Sequence, residues 1–376
     1  MNSITDSING IISMLNEDKS DSFSAFLGFD ACVDSIVRIV SEKAGNAGKH
    51  YFQTSTQFGE FLVKQNNKSC GVELETKLSK IGGNMVITGN ALGKLGISVD
   101  CIGTFGLPEI LPVFHTMSEN CRLYSVADYI TATAFEFTDS KMIAFDPGPY
   151  DKLSWDDIRN IIGADRIKEM LNGKSLVSFL NWSEIENSSG IWQGFIDDIL
   201  PDINKQGKQA DFFTDLSDCS RKSVEEIRTI PRLLKKLSAY FRVTLSLNQH
   251  EAGLVAEALN ISTCLPDDEF MKSIYDSFNA DIVVLHRIRD ALAFDGMKME
   301  RCDTFYCPEP VVLTGGGDNF NAGFCLGLLH KADLFQCLLL ANAVAGAYVS
   351  SGISPSIEDL DHFLRMKIKN GTATPH

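Results

Sequence analysis

From Trp155 onward the hydrophobic pattern switches repeatedly between helical and extended spacing, and few folds accept that alternation. Helical spacing runs near 155–171, near 188–204, from Val224 to Tyr240, from Glu251 to Leu259 and over 267–278. Short apolar runs separate these segments: Ser175 to Leu180, Ala210 to Asp215, Val243 to Leu247 and Asp281 to Leu285. Strands joined by helical crossovers lie parallel, and a parallel sheet is buried on both faces. The expected class is therefore α/β, a mostly parallel sheet in a three-layer arrangement that receives ligands at the carboxyl ends of its strands.

Acids and amides stand at those strand ends. Asp215 and Asp218 follow ADFFT, and Asn248-Gln249-His250-Glu251 follows VTLSL. Asn248 and Glu251, three residues apart at a strand-to-helix turn, can face one cleft and order magnesium-bound water. The same pair also reads as an N-cap with its capping-box glutamate. His286 and Arg287 close the strand 281–285; Arg287 can pair with a nucleotide phosphate or form a salt bridge with Asp290.

Earlier in the chain, Ser22 to Val40 reads as a strand ending near Gly28, a loop with Asp30 and Asp34, and a second extended run from Ser35. Either acid can hold substrate hydroxyls, or simply form the turn. Residues 41–80 carry little pattern beyond a short helix from Thr54 to Gln65. Gly82 and Gly83 then make a turn before a helix from Met85 to Leu95, stopped by Gly96, and a strand from Val99 to Ile102. Paired glycines there let a ligand approach the backbone, with Asn84 offering both donor and acceptor. Tyr129 to Phe137 and Lys141 to Phe145 pair as a hairpin across Thr138, Asp139 and Ser140, a natural lid.

The stretch Val311 to Leu329, VVLTGGGDNFNAGFCLGLL, carries the most chemistry. Val311, Val312 and Leu313 suit a buried strand, Gly315, Gly316 and Gly317 a tight turn, and Asp318 to Leu329 a helix. Unpaired amides at such a helix start attract anions, so a phosphoryl group in transfer can be held there. Asp318 can then accept a proton from an attacking hydroxyl. The bland alternative is a flexible turn ending in an N-cap aspartate.

Composition narrows the class of function. Among 376 residues, 34 are basic and 49 acidic, a net charge of −15 without any dense Lys/Arg run, which argues against a nucleic-acid partner. Ten cysteines without a CxxC pair read as reduced thiols in a cytoplasm, with no zinc site expected. The start, MNSITDSINGII, lacks a signal-peptide pattern. Leu334 to Val349, interrupted by Gln336 and Asn342, falls short of a membrane span and suits a buried core helix, so no membrane partner is expected.

In order and spacing, GFDACVD, IGGN with GNALGKLG, LNQHE, TGGGDNFNAGF and ANAVAGAYVSSGISPS resemble the ribokinase-like (PfkB) carbohydrate kinases over most of the chain. The resemblance implies a Rossmann-like core in one ribokinase-like kinase domain, 1–376, with a small β lid from about 35–50 and 121–145. It implies transfer of the terminal phosphoryl group of ATP, with Mg2+, to a hydroxyl of a sugar-type small molecule. Carried over by position, Asp318 is the base and Gly315, Gly316 and Gly317 form the anion hole. Asp34, Gly82 and Gly83 fall at substrate positions, with Asp30 and Asn84 beside them. Asn248 and Glu251 match an NxxE magnesium motif, Thr314 and Asn321 lie near nucleotide or cation positions, and Arg287 near a phosphate. A homodimer through the lid stays open.

Departures from the family pattern matter as much. Val312 and Leu313 stand where the family commonly has Asp-Thr, so a monovalent-cation site is doubtful. Ile87 replaces an asparagine, for which Asn84 can substitute, and His286-Arg287-Ile288 replaces Thr-x-Gly at the nucleotide strand. That strand, the GFDACVD start and the long 41–80 segment are faintly similar to ADP-dependent sugar kinases, while GGGDNFNAGF is nearer the ATP-using pattern. A nucleoside kinase and a catalytically impaired sugar-binding or regulatory homologue are the alternative readings. The acceptor sugar, and whether it already bears a phosphate, is left open.

Overall fold

The computed structural model describes residues 4–17, 23–43, 48–203 and 210–369. The first part of the chain runs α1 (Ile4–Leu15), β1 (Ser24–Phe29), β2 (Cys32–Lys43), β3 (Lys49–Tyr51), α2 (Ser55–Lys64), β4 (Glu73–Gly82), α3 (Asn84–Lys94) and β5 (Ser98–Gly103). Next come β6 (Cys121–Ser125), β7 (Ile130–Glu136), β8 (Lys141–Phe145), α4 (Gly148–Lys152), α5 (Trp155–Ile162), α6 (Ala164–Leu171) and β9 (Leu176–Phe179). The alternating part continues with α7 (Ser188–Asp198), α8 (Leu200–Ile203), β10 (Asp211–Asp215), α9 (Val224–Ile227), α10 (Ile230–Leu237), β11 (Arg242–Asn248), α11 (Gln249–Ala258), α12 (Asp267–Phe278) and β12 (Ile282–His286). It closes with β13 (Asp290–Phe294), β14 (Met299–Asp303), α13 (Gly316–Leu329), α14 (Leu334–Ser351) and α15 (Ile357–Lys369).

Nine strands form the large sheet in the order β14-β13-β12-β11-β10-β9-β1-β5-β6. From β12 to β6 every pairing is parallel. Side chains two apart share a face, so each strand feeds two cores. Phe26, Phe179 and Phe212 point into one with Trp192 and Phe195 of α7; Leu27 and Phe213 point into the other with Phe324 of α13. In the first core Phe179 meets Phe195 and Phe212 edge-on at 4.7 and 5.3 Å. The apolar helix α14 lies in the second core, its middle residues from Cys337 to Val344 buried.

The chain leaves β1 toward β5 on one side and reaches β9 on the other, which opens a crevice beyond the carboxyl ends of the central strands. A second sheet, β3-β2-β7-β8 with β4 on β2, projects from that end. β2 starts at Cys32, only two residues after β1 ends, so Asp34 lies inside a strand rather than in a loop.

Several elements differ from the sequence expectation. Residues 121–125, expected in the lid, form β6 and pair in parallel with β5 in the large sheet. The polar stretch 73–82 is a strand, β4; it has only β2 as neighbour, and an edge strand can carry charge on both faces, which erases the apolar alternation. The antiparallel pair β13 and β14 was not expected, although Asp295 and Gly296 supply its turn: the Asp295 carboxylate accepts the amides of Met297 and Lys298, and Gly296 has φ +88°. Val311 to Leu313 form no strand; Val311 and Leu313 are 67% and 72% exposed, and the Val311 amide bonds the carbonyl of Val349 at the end of α14. Of the expected lid, 44–47 lie outside the described residues, as do Ser22 and residue 204 of neighbouring expectations.

Candidate active site

The crevice begins at the end of β1. Asp30 is fully buried, and its carboxylate accepts the amides of Asn84 and Met85 and the Nδ2 of Asn181, at 2.7, 2.9 and 2.9 Å. It caps the start of α3. Burial pushes its carboxyl up to about 6, against the pull of those hydrogen bonds. Asn181 escaped the sequence reading; its signal is an asparagine just past the strand SLVSFL, where it adopts φ +55°, a conformation asparagine tolerates.

Asp34 of β2 stands across from the glycine pair. A methyl at Gly82 would lie 2.5 Å from Asp34 Oδ1, and one at Gly83, which has φ +96°, 2.8 Å from Asp30 Oδ2. The pair is therefore glycine because two aspartates press on it. Asn84 follows as the first residue of α3, half-buried.

The start of α13 faces the same crevice. Gly315 has φ +94° and caps the helix without a side chain, and Gly316 and Gly317 form its first turn with Asp318. The Gly316 amide already donates to the Leu313 carbonyl at 3.1 Å. The amides of Gly317 and Asp318 have no partner among the described residues, so the helix start presents unpaired donors. Asp318 is 9% exposed. Burial lifts its carboxyl well above the usual range, and the charges of Asp215, Asp30, Glu251 and Asp34 add to the lift.

Behind Asp318 stands a second set of acids. Asp215, at the end of β10, accepts the Ser217 amide at 2.8 Å and the Nδ2 of Asn321 at 2.7 Å. Asn321 in turn accepts the Ser246 hydroxyl at 2.8 Å and is wholly buried, so it braces Asp215. Asn248 and Glu251 make a complete capping box: Asn248 Oδ1 accepts the Glu251 amide at 2.9 Å, and Glu251 Oε2 accepts the Asn248 amide at 2.9 Å. The Asn248 Nδ2 also donates to Glu251 Oε1 at 2.6 Å. Burial and then the Asp215 charge raise the Glu251 carboxyl well above its usual range.

Beside the α13 start opens a cavity of about 500 Å³, lined in part by Asn248, His286, Tyr306, Gly316, Gly317 and Val349. Asn248 and His286 are register partners on β11 and β12. The His286 ring stacks on Phe320 at 4.8 Å, and burial lowers its imidazole to about 4, so it is neutral. Arg287 also lines the cavity, but its donors are spent on Asp267 (2.9 and 2.9 Å) and Asp290 (2.6 and 3.0 Å). The salt bridge to both acids is therefore formed, and Arg287 still lines the cavity. Thr314 is exposed, and its carbonyl accepts the Tyr348 hydroxyl at 2.8 Å. Tyr348 was not anticipated; its signal is a lone phenol in the apolar, alanine-rich α14.

Chemically, the site joins a proton acceptor of raised pKa to free helix amides and an adjoining cavity, the parts needed to move a charged group onto a hydroxyl. Among the described residues no three His, Cys, Asp or Glu side chains converge to hold a metal by themselves.

The sequence pattern of the family described as prokaryotic ketohexokinase matches residues 13–366. Ketohexokinase of Haloferax volcanii is 24% identical over 359 residues, 92% of each chain. Ribokinase of Bacillus subtilis is 24% identical over 210 residues, 51% of this chain and 68% of that protein. Among solved structures, Arabidopsis thaliana ribokinase complexed with ribose and ATP is similar at TM-score 0.64 and 14% identity, over 91% of this chain and 98% of that one. Phosphofructokinase-2 from Escherichia coli in complex with fructose-6-phosphate is similar at TM-score 0.60 and 14% identity, over 92% and 98%. These two likenesses establish the fold.

Proposed function

Because the chain belongs to the prokaryotic ketohexokinase family, and so is a sugar kinase, we propose that it transfers the terminal phosphoryl group of ATP to a primary hydroxyl of a ketohexose. The observation that carries this reading is Asp318, buried among other acids at the mouth of a helix whose first free amides are its own and that of Gly317.

In this reading the sugar lies between Asp34 and Asp318, with Gly82 and Gly83 giving it room to approach the backbone. Asp318 accepts the hydroxyl proton as the oxygen attacks, and its raised affinity for protons makes it the stronger base for that task. The Gly317 and Asp318 amides stabilise the charge that develops on the transferring group. The nucleotide occupies the cavity beside His286 and Asn248. With no three-ligand cluster, the residues suit a cation held mainly by phosphate oxygens and water, near Glu251 and Asn248. Magnesium there supplies charge neutralisation for the phosphates when bound. The small sheet excludes water as a lid, and its exposed Leu74, Leu78, Met142 and Ile143 support a homodimer formed through it.

Asp318→Asn is the direct test. Turnover should fall at least about a hundredfold with the fold retained, in line with the loss of a general base. Near-normal turnover overturns the assignment. A coupled assay across ketohexoses, phosphosugars and nucleosides, with ATP and ADP in separate reactions, identifies the acceptor and donor.

A further inference from the structure

The turn that precedes α13 is held without the groups a bound cation needs. In the carbohydrate kinases that the sequence resembles, an Asp-Thr pair and a monovalent cation belong to this turn; here Val312 and Leu313 occupy those positions and offer only aliphatic side chains. Two nearby carbonyls already accept hydrogen bonds. Val349 O accepts the amides of Val311 and Val312 at 3.0 and 3.5 Å, and Thr314 O accepts the Tyr348 hydroxyl at 2.8 Å. The donor set does not fit a monovalent cation.

We propose that the Tyr348 hydroxyl replaces that cation: it latches Thr314, fixes the left-handed turn at Gly315, and thereby holds the Gly317 and Asp318 amides in place without potassium or sodium. Tyr348 is a positioning residue, and its role in turnover rests on the kinase reading above.

Three observations converge on the latch. Tyr348 is 6% exposed and belongs to α14, which packs along α13, so its ring is fixed relative to the helix whose start it governs. Its hydroxyl presses against Gly315, where a methyl would come within 2.7 Å of it and 3.4 Å of Ile87 Cγ2. The Gly315 carbonyl is held from the other side by Asn319 Nδ2 at 2.9 Å. The turn is thus gripped at consecutive residues by side chains from two helices. Burial, with the charges of Asp318 and Asp34, pushes the phenol up to about 12, so the hydroxyl stays protonated, and a donor, at neutral pH.

The test compares wild type with Tyr348→Phe in potassium chloride and in tetramethylammonium chloride at equal ionic strength. Wild type should turn over at the same rate in both. The variant should lose roughly tenfold in kcat while sugar and nucleotide KM stay within about twofold, because misplaced catalytic donors cost rate while the binding pockets are kept. Hydrogen exchange should accelerate at the Gly316 and Asn319 amides, which are bonded across the turn, and not in the large sheet. Potassium activation of wild type overturns the proposal, as does a variant with wild-type kcat and exchange. A matching rise in both KM values with a lowered melting temperature also overturns it, since that marks a merely structural residue. If wild type transfers no phosphoryl group from any donor, the kinase reading fails; the exchange experiment and a potassium titration of the melting temperature then decide the latch by themselves.

Discussion

Asp30 accepts the Asn84 amide at 2.7 Å and so ties the end of β1 to the first turn of α3, the turn that Gly82 and Gly83 lead into. The carboxylate is taken up by two backbone amides and the Asn181 side chain, and this separates Asp30 from Asp34 although the two lie four residues apart.

Asp30→Asn should therefore weaken the fold and spare binding. Losing an acceptor at a buried cap costs about 2 kcal/mol, and the sugar KM should stay within about threefold. The loss also depends on pH. Burial raises the carboxyl from 3.8 to about 6 on folding, so its contribution is complete below the lower value and is lost as pH rises through the higher one. Urea titrations of both proteins should show the gap between them narrowing from about pH 4 to about pH 6 and level above that.

Arg287→Met should likewise act on stability. Its guanidinium holds Asp267 and Asp290 together, and Arg301 bonds both acids as well, so neither is left wholly unpaired by the substitution. The expected cost is on the order of 2 kcal/mol, below that of stripping a buried carboxylate of every partner. The nucleotide KM should move less than about threefold. A tenfold rise would return Arg287 to the phosphate.

The contrast between these residues shows what a sequence makes legible. Helix and strand alternation from Trp155 onward exposes the parallel sheet, since each buried strand needs its own apolar run, as in VTLSL and DIVVL. Strand ends are equally visible, which brings Asp215, Asn248 and Glu251 into view. Direction is not visible. Asp30 and Asp34 share one short segment, yet one turns inward to a helix cap and the other faces Gly82, a choice settled by where β2 begins. β4 is hidden because an edge strand needs little apolar side chain. Val311 to Leu313 mislead for the opposite reason: they are apolar, Val311 and Leu313 are exposed, and the Val311 and Val312 amides are taken up by Val349 of α14 rather than by a strand.

The cluster of acids around Asp318 predicts the pH profile. Asp318 must lose its proton to act as base, so kcat/KM should rise with pH along a limb lying above the usual carboxylate range. Asp215 is the largest charged contributor to that lift. Asp215→Asn removes a negative neighbour, favours the ionised form of Asp318 and should move the limb to lower pH. An unmoved limb in a folded variant would mean that another group sets the profile.

Gly82→Ala tests the placement of the sugar. A methyl there would stand 2.5 Å from Asp34 Oδ1 and 2.8 Å from the Cys32 sulfur, closer than real side-chain carbons come, so the carboxylate has to swing away. The backbone itself accepts alanine, because Gly82 ends β4 and is not among the glycines of positive φ. If Asp34 grips the sugar, its displacement should raise the sugar KM at least about tenfold, with the nucleotide KM little changed, because that cavity lies beside the start of α13 and is lined by neither Gly82 nor Asp34. Isothermal titration with the sugar alone separates this from a rate effect. Unchanged sugar affinity in the alanine variant would remove Asp34 from the binding site.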